Sequence, residues 1–305
     1  MKGTKEMKYF EKQFKVDEKT FYRRLDKFLR HVLPDLKLSS IYKLLRKGNV
    51  RVNGKRIKAP SYELSLGDVV AVNYRGNIEY LKRLKESREL IPHNLPIKIL
   101  YEDESFLAVD KPAGLAVHPG KGVQIVTLIE GLLAYGKRNG FKPFLVHRLD
   151  KHTSGVLLVA KSPQAARELT AMFREKRIDK RYVTLVKGLP EKSRAYLKDV
   201  IDGLREESEY IVKKAYSGCS FLEVRLFTGK KHQIRRQMAK IGHPVVGDDV
   251  YGDREFNRNF KKRYELKRYF LHCMKMGFIH PKTGHYVEVL SELPDDLKKV
   301  LEKLS

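Results

Sequence analysis

Beyond residue 96 the apolar residues fall into short runs cut by polar turns, the feature that most narrows what this chain can fold into. Ile97 to Tyr101, Phe106 to Val109, Gly155 to Ala160, Arg181 to Val186 and Phe221 to Phe227 have the length and residue types of strands. Helical spacing is found in Val126 to Tyr135, Pro163 to Glu175, Lys231 to Ile241 and Pro294 to Leu304. Strands outnumber helices and the helices are unevenly placed, so the pattern predicts a mixed α+β sheet rather than a doubly wound parallel one. No run approaches the roughly 20 apolar residues of a membrane span, and the opening MKGTKEMKYF lacks the apolar segment of a secretory signal. A soluble, cytoplasmic protein with no membrane partner is expected.

The N-terminal quarter reads as a separate, smaller unit. After a polar leader over 1–19, Thr20 can cap a helix that aligns Leu25, Phe28, Leu29 and Val32 on one face, ending at Pro34. Ser40 precedes a second short helix carrying Ile41, Leu44 and Leu45, with Gly48 where a left-handed residue is wanted. Val50 to Ile57 alternates around Asn53-Gly54, a strong hairpin signal, and a Gly67-Asp68 turn closes the unit near residue 76. Residues 77–96, with Lys82, Arg83, Lys85, Arg88, Pro92 and Pro96, read as a linker, and 97–305 as the main domain.

Charge points to the partner. The 63 basic residues outnumber the 37 acidic by 26, whereas a heat-adapted surface would raise both together. Such an excess favours a polyanion, through phosphate neutralisation and counterion release, and favours a monomer. The small unit is especially basic: Lys43, Arg46, Lys47, Arg51, Lys55 and Arg56 lie on its polar faces. Two cysteines, Cys219 and Cys273, make neither a metal-ligand cluster nor a disulfide framework, and read as buried small residues. His118-Pro119-Gly120-Lys121-Gly122 lacks the spacing of a phosphate cradle. Neither a metal nor another cofactor is expected.

One segment concentrates chemistry. Leu145 to Gly155 places His147, Arg148, Asp150, His152, Thr153 and Ser154 just before an apolar strand, where a rigid element can hold them. Read as an ordinary loop, Asp150 would cap a turn while Thr153 and Ser154 bonded local backbone. Taken alone, the segment fits both readings.

Its identity says more than its spacing. HRLDKHTSGVLLVAKS (147–162) resembles the most diagnostic segment of the RluA family of pseudouridine synthases. YEDESFLAVDKPAGLAVHPG (101–120) looks like that family's opening strand pair, KRYVTLVKG (180–188) like its tyrosine-bearing strand, and LFTGKKHQIRRQMAKIGHPVVGDDVYGDREF (226–256) like its HQIR and GHP segment. RLDKFL and IYKLLRKGNVRVNGKRIK resemble an S4 RNA-binding domain, which together with YGDREFNR points to the RluC-like branch. The resemblance implies a largely antiparallel central sheet with flanking helices, plus a small α/β S4-like domain. It further implies isomerisation of uridines in structured RNA, most specifically 23S ribosomal RNA of the large subunit.

Carried over residue by residue, the resemblance makes Asp150 the catalytic carboxylate, with two chemistries open: attack on the ribose, or stabilisation of an oxocarbenium-like sugar with proton abstraction. Arg235 matches the family's basic partner of that aspartate; otherwise it would be a phosphate contact. Tyr182 matches the active-site tyrosine, able to stack on the extracted uracil and assist proton removal at C5; otherwise, as one of 16 tyrosines, it reads as a strand-core residue. Arg148 looks like the arginine that fills the space of the flipped nucleotide, or else clamps a phosphate. Lys111 and Pro112 read as a local turn near the site, His147 and His152 as structural hydrogen-bonders, and His232 as a residue that orients backbone. Departures occur at Lys230, Lys231, Arg236 and Gln237, where the family has Arg, Thr, Val and His; Lys230 and Lys231 remain candidate RNA contacts. The basic surface, with Lys230 and Gln237, keeps open a non-catalytic ribosome-assembly or RNA-chaperone protein, and a synthase of transfer RNA is a third reading.

Overall fold

The computed structural model describes residues 9–17, 22, 24–33, 36, 38–75, 90–119, 126–201 and 203–305. The chain divides into two compact units, Met1–Glu89 and Leu90–Ser305.

In the first unit, helices α1 (Leu25–Val32) and α2 (Leu38–Arg46) accompany strands β1 (Tyr9–Lys15), β2 (Val50–Val52), β3 (Lys55–Arg56) and β4 (Val69–Arg75), ordered β1-β4-β2-β3 in one sheet. The residues expected to share the α1 and α2 faces do so: Leu25, Phe28, Leu29, Ile41, Leu44 and Leu45 are buried with Val50, Val52, Val70 and Val72. The Asn53-Gly54 hairpin forms with both residues at positive φ, 49° and 76°, the geometry of a type I′ turn. Residues 9–15 correct the reading of a polar leader, since β1 pairs along its whole length with β4, from Tyr9↔Arg75 to Lys15↔Val69. Phe14 packs edge-on against Phe28 and Val16 is buried, so two apolar residues two apart are enough to fix this strand. Thr20, Arg23, Pro34, residues 76–89 and residues 120–125 lie outside the described residues. Leu90 packs on the core of the second unit and the His93 amide donates to the Glu130 carbonyl, so the last part of the expected linker belongs to that unit.

The second unit is a ten-stranded sheet flanked by helices. Its strands are β5 (Lys98–Glu102), β6 (Phe106–Lys111), β7 (Phe144–Leu145), β8 (Ser154–Ala160), β9 (Asp179–Lys187), β10 (Arg194–Ile201), β11 (Leu204–Tyr216), β12 (Cys219–Leu226), β13 (Leu271–Ile279) and β14 (Tyr286–Leu290). The helices are α3 (Leu128–Arg138), α4 (Pro163–Arg174), α5 (Gln233–Lys240), α6 (Arg254–Tyr264) and α7 (Asp295–Leu304). The order is β10-β11-β12-β9-β13-β8-β6-β5, with β7 on β8 and β14 on β13, and every pairing but β8–β13 is antiparallel. The mixed sheet expected from the sequence is therefore present. Cys219 and Cys273 are buried free thiols, and no helix among the described residues is long and apolar enough to cross a membrane.

The parallel pair is what positions the site. β8 and β13 touch only at Ser154↔His272 and Gly155↔Cys273, after which the sheet forks: β7 takes the edge of β8 and β14 that of β13. Gly155 allows this approach. It sits at φ 111°, and a Cβ there would stand 2.1 Å from the Cys273 carbonyl oxygen. Backbone and sterics thus forbid any side chain at the residue where the segment carrying Asp150 enters the sheet. Gly155→Ala should lose about 3 kcal/mol or more of stability, combining a clash with a strained backbone. Denaturant unfolding checks this, and a loss under about 1 kcal/mol would mean that the fork is not built on that contact.

Candidate functional site

The segment 146–153 leaves the fork as a loop whose backbone is pinned from two sides. Three consecutive carbonyls are held: Asp150 O accepts from the Thr153 amide at 3.1 Å, Lys151 O from the Gly114 amide at 2.8 Å and Lys111 Nζ at 3.1 Å, and His152 O from Arg268 Nη1 at 3.0 Å. Lys111 is fully buried and also donates to the carbonyls of Pro112 and Leu115, while Arg268 is paired with Asp296. Lys111 is therefore more than part of a local turn: it ties the β6 turn to the loop. Burial, then the nearby Arg268, pulls its pKa down to about 7. Thr153 Oγ1 and Ser154 Oγ do not bond local backbone; they reach the Tyr269 hydroxyl at 3.2 Å and His272 Nδ1 at 3.0 Å. With Leu149 in the core, the turn leaves Asp150 facing outward into a cleft of about 460 Å³.

Among the 22 residues lining that cleft Asp150 is the sole carboxylate, against seven lysines and arginines. Its carboxyl group is 18% exposed, with Oδ2 3.7 Å from Arg235 Nη1 and Oδ1 3.7 Å from His232 Nε2. The cleft thus brings together Asp150, Arg235 and Tyr182, distant in sequence, and adds Arg148, Lys230 and Lys231 at more exposed positions. Lys43, Arg46, Lys47, Lys55 and Arg56 are exposed and Arg51 half-buried in the other unit, and none of the six pairs with an acidic side chain among the described residues.

Arg235 comes from α5, whose start is set by its neighbours. His232 precedes the helix in the left-handed conformation, φ 56°, so α5 begins two residues later than its periodicity suggests. The Gln233 side chain organises the turn, its Oε1 accepting from Thr228 Oγ1 and the Lys230 amide while Nε2 donates to Glu207 O. Arg235, 4% exposed, donates through Nε and Nη2 to Asp248 Oδ2 and Oδ1 at 2.5 and 2.8 Å, with its guanidinium 4.4 Å from the Tyr269 ring centre and 5.2 Å from that of Tyr251. Burial works against its charge, but the Asp248 bonds outweigh it and hold the guanidinium above its usual range. Two of its nitrogens are committed to Asp248, and Nη1 faces Asp150.

Several of these partners are invisible in the sequence reading. Asp248 lies in GHPVVGDDVYG beside Asp249; Asp248 is buried and Asp249 exposed, a distinction that only the loop backbone makes. His232, read as orienting backbone, instead places its ring between Asp150 and the Tyr251 hydroxyl, 3.1 Å from Nδ1; burial, only partly offset by Asp150, lowers its pKa. His147 is structural as expected: its Nε2 accepts the Leu158 amide at 2.8 Å, and burial pushes its pKa down to about 3. Tyr182 is 7% exposed, and burial, then neighbouring Cys273, pushes its phenol well up. The departures Arg236 and Gln237 are accommodated by β11: Arg236 pairs with buried Glu206, and Gln237 Oε1 accepts from Ser208 Oγ at 2.9 Å.

The chain belongs to the RluA family of RNA pseudouridine synthases: the family described as RNA pseudouridylate synthase matches residues 105–240, and the S4 domain matches residues 23–70. It is thus an RNA-modifying isomerase with an S4 RNA-binding domain. Ribosomal large subunit pseudouridine synthase C of Escherichia coli (strain K12) is 38% identical to it over 304 residues, spanning 92% of this chain and 93% of its own. The protein of that name from Vibrio vulnificus (strain CMCP6) is 36% identical over 309 residues and spans 95% of each. Among solved structures, Human RNA Pseudouridylate Synthase Domain Containing 1 has a TM-score of 0.53 at 26% identity, covering 65% of this chain and 84% of that one. Human RNA Pseudouridylate Synthase Domain Containing 4, at 21% identity, shares the fold with a TM-score of 0.58, covering 68% and 92%.

The Asp248 clamp has a measurable acid limb. Burial tends to raise the Asp248 pKa, but Arg235 and the amides of Tyr251 and Val250 outweigh it and hold the carboxyl below its ordinary value. A folded pKa below the unfolded one adds stability that is fully present above about pH 4 and is lost as the pH falls through the folded value. Asp248→Asn should flatten that loss in melting temperature between pH 7 and pH 3, while costing about 3 kcal/mol at pH 7 by leaving Arg235 underpaired. An acid limb as steep in the variant as in the parent would remove Asp248 from this role.

Proposed function

We propose that this synthase isomerises uridines of large-subunit ribosomal RNA, with Asp150 facing the ribose of a uridine flipped into the cleft. The reading is carried by one observation, the lone cleft carboxylate 3.7 Å from a buried guanidinium that is already fixed by Asp248. A carboxylate so oriented suits both chemistries open at C1′, attack or support of an oxocarbenium-like sugar, and both need a water-poor pocket with a fixed counter-charge. The ribosomal substrate is supported by the relatives that bear that name, which align along nearly the whole chain.

Roles follow from position. Tyr182, buried with its phenol pKa raised, is suited to stack its ring on the uracil more than to carry charge. Exposed Arg148, two residues before Asp150, enters the gap that the flipped nucleotide leaves. Lys230 and Lys231 contact phosphates beside the cleft, and Lys43, Arg46, Lys47, Arg51, Lys55 and Arg56 do so from the S4 domain. In the hairpin, Arg51 is directly opposite Arg56, a like-charge pairing that lowers stability and is best understood as serving a polyanion.

Asp150→Asn should bind RNA within about threefold of the parent yet lose about a thousandfold or more in turnover, the scale of removing an essential catalytic group. Tritium release from RNA labelled at uridine C5 measures this, and undiminished release would refute the assignment. Mapping pseudouridines in total RNA with and without the gene tests the substrate: sites lost only from transfer RNA would overturn the ribosomal reading. Reversing Arg51 and Arg56 to Glu should lower the slope of log affinity against log salt by about 1.5, since each phosphate contact contributes about 0.7–0.9. An unchanged slope would place the RNA elsewhere.

A further inference from the structure

Three cleft cations, Arg174, Lys176 and Lys180, have no part in the roles above, and of these only Lys180 is buried. Lys180 precedes Tyr182 by two residues on β9, so alternation sends both side chains to one face, and both line the cleft. Unlike the basic residues nearer solvent, Lys180 is only 5% exposed. Its ammonium donates to Thr228 O at 3.2 Å and stands 5.9 Å from the Phe173 ring centre. Among the described residues no carboxylate comes within ion-pair distance of it. Burial pulls its pKa down to about 8. Lys111, the other deeply buried lysine beside this segment, shows what a satisfied ammonium looks like here, with three carbonyl acceptors. An ammonium has three donors, and the protein gives that of Lys180 one acceptor, leaving donors for a further partner.

The reaction supplies such a partner. When the bond from N1 to C1′ breaks, its electron pair stays on the base and spreads over N1 and the carbonyl oxygens O2 and O4. The ribose is left with the matching positive charge, on the side that Asp150 faces. After the base turns, a pair from its C5=C6 bond forms the new C5–C1′ bond, the C5 proton leaves, and N1 takes a proton. No electrons or atoms are gained overall. The base is therefore anionic only between cleavage and rejoining, when a preorganised cation beside it is worth most.

We propose that Lys180 holds the detached uracil, donating to one of its carbonyl oxygens and stabilising the negative charge that the base carries between the two bonds. This rests on the reading of Asp150 as the ribose-facing carboxylate. The amine lies beside the cleft-lining Thr228 and Gly229, where a Cβ on Gly229 would be in van der Waals contact with Nζ, at 3.8 Å. Tyr182 then supplies the face of the base and Lys180 its edge.

Lys180→Met tests the role, because Met has a similar length and removes a charge kept from water without leaving a cavity. In single turnover at saturating RNA the rate should fall about 100- to 1,000-fold, as when one oxyanion donor is removed. RNA affinity should stay within about threefold and the melting temperature should not drop. Lys180→Gln, which keeps a neutral donor, should lie between. A target 5-fluorouridine separates leaving-group support from other roles: fluorine stabilises the departing base, so the Lys180→Met penalty on cleavage from the ribose should shrink by about tenfold or more. Undiminished turnover, an equal penalty for both bases, or a loss explained by weaker RNA binding or a lower melting temperature would each overturn the proposal. A parent enzyme that makes no pseudouridine, or an Asp150→Asn variant at full rate, would instead overturn the reading of the site on which it rests.

Discussion

The site depends on a guanidinium that is never free to move. Arg235 is nearly excluded from solvent, bidentate on Asp248 and covered by the rings of Tyr269 and Tyr251. Removing a charge from water costs several kcal/mol, and only close geometry with fully used hydrogen bonds repays it. Asp248 meets that condition, since its Oδ1 also accepts the amides of Val250 and Tyr251 and its carbonyl accepts Asn257 Nδ2. The charge is thereby fixed before any RNA arrives, and Asp150 meets it at 3.7 Å, a distance that orients the carboxylate without tying it up in a direct hydrogen bond. A carboxylate in direct contact would have its lone pairs engaged; at this distance those of Asp150 stay free, as the role proposed for it requires.

The forked sheet makes the other half of the arrangement. Because β8 and β13 touch at only two residue pairs, the chain can leave the sheet centre there without breaking a long ladder. Gly155 and Cys273 close the backbone contact, and just upstream Lys111 and Arg268 clamp successive carbonyls of the loop. Loops are ordinarily the mobile parts of a fold. Here the loop is as constrained as a strand, and Asp150 inherits that rigidity through Leu149 below it.

Much of this was legible in advance, chiefly where an apolar run is continuous or a turn residue is specific. Strands β5, β6, β8, β9 and β12 were readable, as were the Asn53-Gly54 turn and the helix faces of the S4 domain. The short β7 and β14 and the central β13, interrupted by His272, Lys275 and Gly277, were not singled out. Strands β10 and β11 were not, because they alternate apolar residues with charges that are ion-paired in the sheet, as with Arg194 and Glu209. Helix α6 was missed for a similar reason: REFNRNFKKRY buries Phe260 alone. Within the site, Asp150, Tyr182 and Arg235 stood out through resemblance. Asp248, His232 and Lys180 did not, since their importance lies in burial and in partners far along the chain, which one sequence does not encode locally.

The net charge of +26 also acquires a location. In the sheet of the second unit much of the positive charge is paired, Arg181 with Asp179 and Glu223, Arg225 with Asp179, Lys275 with Glu288 and Lys187 with Asp253. Charge spent in such pairs contributes little to binding a polyanion, and exposed pairs contribute little to stability either. The cations without an acidic partner among the described residues include the S4 set and Arg148, Lys230 and Lys231 beside the cleft. Counterion release draws on unpaired charge, which is why the RNA contacts proposed above are assigned to these positions. The same separation explains how a surface this basic coexists with a cleft that holds one carboxylate: the unpaired cations lie mostly at exposed positions, and the buried charges of the site are fixed by the fold.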